Sequence, residues 1–387
     1  MDVPNLPSDF TLLQVLPALS AGGVEQTAVD IAAAVEDAGG KSIVASEGGR
    51  LTRDLAGFHV TLPLSSKSPL VIAQNAFQLR RLVREEKVSL VHARSRAPAF
   101  SALWAARTTR RPFVTTYAGV YHAGNALKRW YNGVMAKGDV VIANSDFTAT
   151  RLMAEHGARP AKVVTIPRGI DLGYFDPKAV TERRVLDVRR SWGLPDDDHR
   201  PVVLLAARLS RWKGHGLMID VAALLARAGR RDFRLVLAGD DQGHADYKRS
   251  LDERIAVLGL QHSVTLAGHI SDMPAAYLAS SLVVAPSLEP EAFGRTAVEP
   301  QAMGRPVLAA DHGGAQETVA QGESGWLVKP GDVEAWAATL VEALDTDPER
   351  LAAMGEAGRE RATALYSVDS MTAATLKVYM RLLNGVH

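Results

Sequence analysis

Short apolar runs alternate with helix-period segments along the whole chain, the pattern of parallel strands joined by crossover helices. In the first half it predicts strands at residues 11–16, 41–45, 90–93, 113–117, 140–144 and 163–166, with helices at 24–37, 72–87 and 100–107. A second series predicts strands at 202–207, 234–238, 264–267, 282–285 and 306–310, separated by helices such as 217–227 and 296–303. Between them, residues 167–201 are charged and carry Pro177 and Pro195, the composition of a connector. The expected fold class is α/β, with two doubly wound parallel-sheet domains at 1–175 and 201–367 and a linker at 176–200. Such sheets bind ligands beyond the carboxyl ends of their strands, so two crevices are expected to face each other across a cleft.

Composition narrows the function classes. The 387 residues are 47% hydrophobic and 22% charged, which excludes a disordered or fibrous chain and leaves each domain enough residues for a core. Cysteine is absent, removing disulfides, thiolate metal sites and cysteine nucleophiles, and a cytoplasmic location is expected. No apolar run reaches the roughly 18 residues of a spanning helix, and residues 1–9 carry acids and prolines where a signal would be basic and then apolar. The chain is therefore not expected to span a membrane. Its net charge of +1 hides an asymmetry: residues 1–190 hold 25 Lys and Arg against 17 Asp and Glu, and residues 191–387 hold 19 against 26. From Lys87 to Gly138 there are nine basic residues and no acid, a surface suited to anions.

Several familiar signatures fail. Gly40-Lys41-Ser42 lacks the leading glycine of a P-loop, no G-x-G-x-x-G follows the first strand, and Gly322-Glu323-Ser324-Gly325 lacks nucleophile-elbow spacing. Asp196-Asp197-Asp198 reads as a solvated loop in the connector, so no required metal is expected.

Four strand-to-helix junctions carry chemistry instead. Gly22-Gly23 allows close backbone approach at a helix start, where free amides and the dipole favour phosphate. Arg208 at the end of one strand and Lys213 at the next helix start can reach one anion from two sides, as fixed cations stabilising a departing diphosphate. Glu291 lies in a loop and Glu299 eight residues later on a helix, with Phe293, Gly294, Arg295 and Thr296 between them offering amides. Carboxylates accept from sugar hydroxyls and amides donate to phosphate oxygens, so this junction suits a sugar attached to a diphosphate. The fourth, Asp311-His312-Gly313-Gly314, is a glycine-rich turn suited to lining a nucleotide.

Gly22-Gly23, Arg208 with Lys213, Glu291-x7-Glu299 around Phe293-Gly294, and residues 300–307 together resemble glycosyltransferase family 4, retaining enzymes of the GT-B fold. The resemblance extends over nearly the whole chain, through Ala143-Asn144-Ser145 and residues 166–171. It implies an N-terminal acceptor domain, a C-terminal nucleotide-sugar domain, and a last helix, 368–383 within the terminal segment 368–387, that crosses back to the first. It implies that Arg208 and Lys213 hold the donor diphosphate, Glu299 the ribose, Glu291 the transferred sugar, and Gly22, Gly23 and the amides of Phe293 to Thr296 the phosphates and sugar. His92-Ala93-Arg94 stands where the family often has His-x-His, with Arg94 in place of the second histidine. Thr116-Tyr117-Ala118-Gly119 lacks a histidine before its glycine, so Tyr117 or His122 is expected to cover that role.

Residues 92–100 and 115–135 look similar to bacterial members that build lipopolysaccharide cores. The implied partners are a nucleotide-diphosphate sugar and a glycolipid or oligosaccharide acceptor, with peripheral contact to an anionic inner membrane face. No nucleic-acid module and no cofactor are expected. A sugar-nucleotide epimerase or a non-catalytic nucleotide-sugar binding module would use the same donor residues.

Overall fold

The structure, a computed structural model, describes residues 5–20, 22–121, 124–243 and 245–385; His122 lies outside the described residues. The chain divides into two compact units, Met1–Gly169 with Val368–His387, and Ile170–Ser367. Each is built on one parallel sheet.

The first unit has seven strands: β1 (Thr11–Val15), β2 (Lys41–Ser46), β3 (Phe58–Thr61), β4 (Leu90–Ala93), β5 (Phe113–Tyr117), β6 (Val140–Ala143) and β7 (Val163–Thr165), in the order β3-β2-β1-β4-β5-β6-β7. The strand order reverses between β1 and β4, where Gln14 pairs in register with His92. Period-two alternation sends Leu13, Val15, Val91, Ala93, Phe113 and Tyr117 into one core layer, and Leu12, Leu90, Val114 and Ile142 into the other. The helix Val368–Leu383 packs on that second layer through Leu376, Val378 and Tyr379, returning the chain's end to its beginning.

The second unit has six strands: β8 (Val202–Ala206), β9 (Arg234–Ala238), β10 (Val264–Gly268), β11 (Leu282–Ala285), β12 (Val307–Ala310) and β13 (Gly325–Val328), in the order β10-β9-β8-β11-β12-β13. Here the reversal falls between β8 and β11. Core layers on both faces of the sheet are filled largely by aliphatic residues from strands and helices.

The expected linker is not a linker. Residues from Ile170 onward belong to the second unit, and within 176–200 the helix Glu182–Ser191, capped by Thr181, buries Val188 alongside Trp192 and Leu194. In the acidic triplet Asp196 and Asp197 are exposed in a loop as expected, and Asp198 differs. The Asp198 side chain, 8% exposed, sits between Arg200 at 2.9 Å and Arg234 at 2.6 Å, and these guanidiniums hold its carboxyl far below the usual range. Charge density mimicked a solvated connector because its ion pairs are internal to the unit.

Candidate functional site

In the second unit the loops after β8, β11 and β12 are tied together. Leu288 N donates to Trp212 O at 2.6 Å, His312 Nε2 lies 2.9 Å from Ser287 O, and Gly314 N donates to Glu291 O at 2.9 Å. Gly214, at φ +81°, ends the turn that carries Lys213, and a Cβ there would fall 2.1 Å from Pro286 O, so only glycine lets these loops approach so closely.

This tying brings Lys213 and Glu291 together. Lys213 Nζ stands 2.8 Å from Glu291 Oε1, with the side chains 9% and 17% exposed. Ser287 Oγ donates to the same oxygen at 2.5 Å, and the Trp212 ring lies 4.3 Å from the ammonium. Glu291, Ser287, Gly294, Thr296 and His312 line a pocket of about 230 Å³, partly open to solvent. Gly294 precedes the helix Arg295–Ala302, whose first amides have no intrahelical acceptor.

Glu299 belongs to a neighbouring network, accepting from Arg295 Nε at 2.8 Å and from Tyr277 Oη at 2.9 Å. Burial, reinforced by that carboxylate, raises the Tyr277 phenol well above its ordinary pKa and keeps it a donor. Arg208 is exposed at the end of β8 and donates to Gln242 Oε1 at 3.0 Å, apart from the Lys213–Glu291 pair. Phe293 contributes backbone only; its ring is buried against Tyr366.

In the first unit, residues at the carboxyl ends of β4 to β7, with others from the helices Gly23–Asp37 and Val368–Leu383, line a second pocket of about 380 Å³, among them His92, Arg94, Thr116, Asn144 and Arg168. His92 is fully buried, with Nδ1 2.6 Å from Tyr379 Oη and Nε2 2.7 Å from Thr116 Oγ1. Burial, and secondarily Arg94, holds its pKa well below the usual imidazole value, so it is neutral and both nitrogens are committed. Arg94 Nε donates to Gln14 Oε1 at 2.6 Å, and Gln14 Nε2 donates to Ala28 O at 2.9 Å. Arg168 Nη2 donates to Ala118 O at 3.3 Å.

Two expectations for this unit change. Tyr117 does not line the pocket: alternation puts Thr116 on the pocket's side of β5 and sends Tyr117 to the opposite layer, fully buried against Tyr121 and His156. At Gly22 and Gly23 the helix Gly23–Asp37 does begin, but Glu25 folds back so that a Cβ on Gly22 would meet its Oε2 at 2.6 Å. An acid of the same helix already meets that dipole, and a phosphate would have to displace it.

Gln14, Tyr277 and Ser287 belong to no sequence motif, and Asn144 and Arg168 fall in segments whose role the sequence leaves open. A polar residue inside an apolar strand was the available signal for Gln14, which interrupts the run Thr11–Val15. Ser287 and Tyr277 act through carboxylates that only the fold brings near, and no local pattern marks them.

Two Rossmann-like parallel-sheet units, each with its polar residues at the strand-order reversal, define the GT-B class. Residues 189–361 match the model for glycosyl transferases group 1, and residues 21–174 match that for glycosyltransferase family 4. A crystal structure of a glycosyltransferase from Rickettsia africae is 33% identical, with a TM-score of 0.88 over 97% of this chain and 98% of that one. The chain belongs to the glycosyltransferases of this family. A D-inositol 3-phosphate glycosyltransferase from Gordonia bronchialis is 34% identical over 263 residues, 65% of this chain and 54% of that protein, so the chain spans about half the length of such curated relatives.

Two further structures show the fold alone. A UDP-glucose complex of the Anabaena protein HepE is 23% identical, with TM-score 0.79 over 97% and 99% of the two chains. WaaG, a glycosyltransferase involved in lipopolysaccharide biosynthesis, is 18% identical, with TM-score 0.73 over 95% and 99%. The expected similarity to lipopolysaccharide-core enzymes thus reaches the architecture and no further.

Proposed function

We propose that this chain is a retaining, metal-independent hexosyltransferase that moves a sugar from a nucleotide diphosphate, held by the C-terminal unit, to an acceptor hydroxyl held by the N-terminal unit. The observation that carries the reading is the buried Lys213–Glu291 pair beside the amides that open the helix Arg295–Ala302. In this reading Lys213, with Arg208, neutralises the diphosphate, Glu291 accepts from the sugar's hydroxyls, and Glu299, oriented by Tyr277 and Arg295, accepts from the ribose.

The bond from the anomeric carbon to the diphosphate oxygen breaks, and its electron pair stays on the leaving phosphate. The acceptor oxygen adds to the same face of the oxocarbenium-like sugar and passes its proton to that phosphate oxygen, so the substrate serves as its own base. The two cations supply the charge stabilisation that a divalent metal gives elsewhere.

The basic stretch from Lys87 to Gly138 favours an anionic, polyhydroxylated acceptor, a glycolipid or oligosaccharide, met at the inner face of a cytoplasmic membrane. No helix of the described residues is long and apolar enough to cross a membrane, so any such contact is peripheral. A relative named for D-inositol 3-phosphate, a phosphorylated polyol, supports an acceptor of this chemical class.

The test is a thermal-shift screen against nucleotide-sugars, which finds the donor because a bound ligand stabilises the folded state. Transfer assays with that donor and assignment of the product's anomeric configuration follow. A glycoside of unchanged configuration formed in the presence of a chelator is expected. Epimerised donor without an acceptor, or binding without turnover, overturns the reading.

A further inference from the structure

We infer that the pocket at the carboxyl edge of the seven-stranded sheet is an oxyanion subsite, in which Arg94 and Asn144 grip one acidic group of the acceptor, a phosphate monoester or a carboxylate. Two hydrogen-bond donors there are buried and unpaired. Arg94 is 3% exposed and its Nη2 has no partner; Asn144 is 2% exposed and its Nδ2 has none. Both residues line the same pocket. Thr148 Oγ1 lies 3.0 Å from Asn144 Oδ1, which leaves the NH2 group on the other side of the amide.

Buried donors are almost always satisfied, and two that share one space are relieved by a single ligand carrying several acceptor oxygens. Charge selects an anion over a neutral hydroxyl. None of the described residues lining the pocket is acidic, Arg168 adds a second guanidinium to its wall, and His92 contributes a neutral ring with both nitrogens already engaged. Burial lowers the Arg94 pKa from its ordinary value, with the Tyr379 hydroxyl and Asp30 opposing that shift, and Gln14 fixes its Nε. The guanidinium is thus held in place before any ligand arrives, which lowers the entropic cost of binding.

The inference rests on the proposed transferase reading only for calling the ligand an acceptor. The test uses the full chain in a Lys213→Ala, Arg208→Ala background, so that the other unit's two phosphate-binding cations are gone. Calorimetric titration with inorganic phosphate, acetate and chloride is compared among that background, Arg94→Gln and Asn144→Asp, with circular dichroism to confirm folding.

Phosphate or acetate should bind at least tenfold tighter than chloride, and each added substitution should weaken that binding tenfold or more. Arg94→Gln keeps an amide able to reach Gln14, and Asn144→Asp changes only charge and donor, so loss of fold is not expected to mask the result. Equal binding of the three anions, or binding indifferent to both substitutions, overturns the subsite. A nucleotide-sugar screen on the unaltered chain separates the two claims. Donor binding without the anion effect sinks the subsite alone, and the anion effect without any donor sinks the transferase reading alone.

Discussion

Lys213 and Glu291, 78 positions apart in sequence, form an ion pair at 2.8 Å with both side chains largely buried, at the point where the strand order of the second sheet reverses. Breaking a buried pair from one side strands the other charge, at about 3–5 kcal/mol. Lys213→Ala should therefore lose both stability and turnover, the latter by about a hundredfold or more if the ammonium meets the leaving diphosphate. The double variant Lys213→Met with Glu291→Gln tells the two effects apart. Denaturant unfolding should recover most of the stability while kcat stays low; recovery of kcat would reduce the pair to a structural strut.

Glu299 is held from two sides by Arg295 and Tyr277. If its free acceptor capacity serves a ribose, Glu299→Gln should weaken binding of nucleoside diphosphates about tenfold, since hydrogen bonds to charged groups contribute about 1.5–3 kcal/mol. Tyr277→Phe should give a smaller loss, because it frees the carboxylate to reorient without discharging it. Calorimetry with UDP, GDP and ADP reads both; unchanged affinity for all three would remove Glu299 from the donor site.

Gly214→Ala combines left-handed strain with a collision against Pro286 O, and together these should cost about 2–5 kcal/mol. Gly229 offers the control, since it has φ +84° and nothing within 4 Å of its Cβ position, so Gly229→Ala carries the strain alone. The melting temperature should fall further for Gly214→Ala, with turnover lost below the melting range, because the loop bearing Lys213 is pushed from the loop bearing Glu291. Equal losses in the two variants would show that the close approach has no role.

His215 is buried beside Ala207 O, and desolvation lowers its pKa to about 4 against an ordinary 6.5. Between those values the unfolded chain binds more protons than the folded one, so stability rises with pH across the window and is lost as pH falls from 6.5 towards 4. At pH 5 the loss relative to pH 7.5 is about 2 kcal/mol from this group. Neutral, buried His92 acts in the same direction in the other unit. His215→Gln should remove the contribution, so urea unfolding at the two pH values should differ less in the variant; an identical pH dependence would assign the acid loss elsewhere.

How much of this was legible in the sequence follows from locality. Eleven of the thirteen strands announce themselves as apolar runs, because parallel strands buried on both faces leave little room for polar residues. The two missed strands are edges: β3 is half exposed and β13 opens on glycine after a polar turn, so neither carries the signal. At the second unit's junctions the glycines and charges that make loops approach are themselves sequence features, so Lys213 and Glu291, which the fold pairs, each carry a local signal. The first unit's pocket draws residues from four strand ends and two helices, and only the sheet order joins His92, Thr116, Asn144 and Arg168. Tyr117 shows the limit, since a shift of one residue along a strand reverses the face.

The helix Ala126–Asn132 exposes Leu127 at 73% and Trp130 at 66%, flanking Lys128 and Arg129. In the same unit Phe77 packs edge-on against Trp104 at 4.9 Å, and Arg80 lies 5.8 Å from the Trp104 ring. Aromatic and aliphatic groups interleaved with cations suit an anionic bilayer surface, where the rings enter the headgroup layer and the cations meet phosphate. Burying one such apolar side chain is worth about 1.5–3 kcal/mol, so Leu127→Ser with Trp130→Ser should reduce vesicle binding tenfold or more. Flotation with phosphatidylglycerol-containing vesicles should show binding that weakens with added salt, because screening acts on the cations while the apolar term persists. Neutral phosphatidylcholine vesicles should bind less than anionic ones at every salt concentration. Equal partitioning of the double variant and the unaltered chain would show that Leu127 and Trp130 meet solvent rather than lipid.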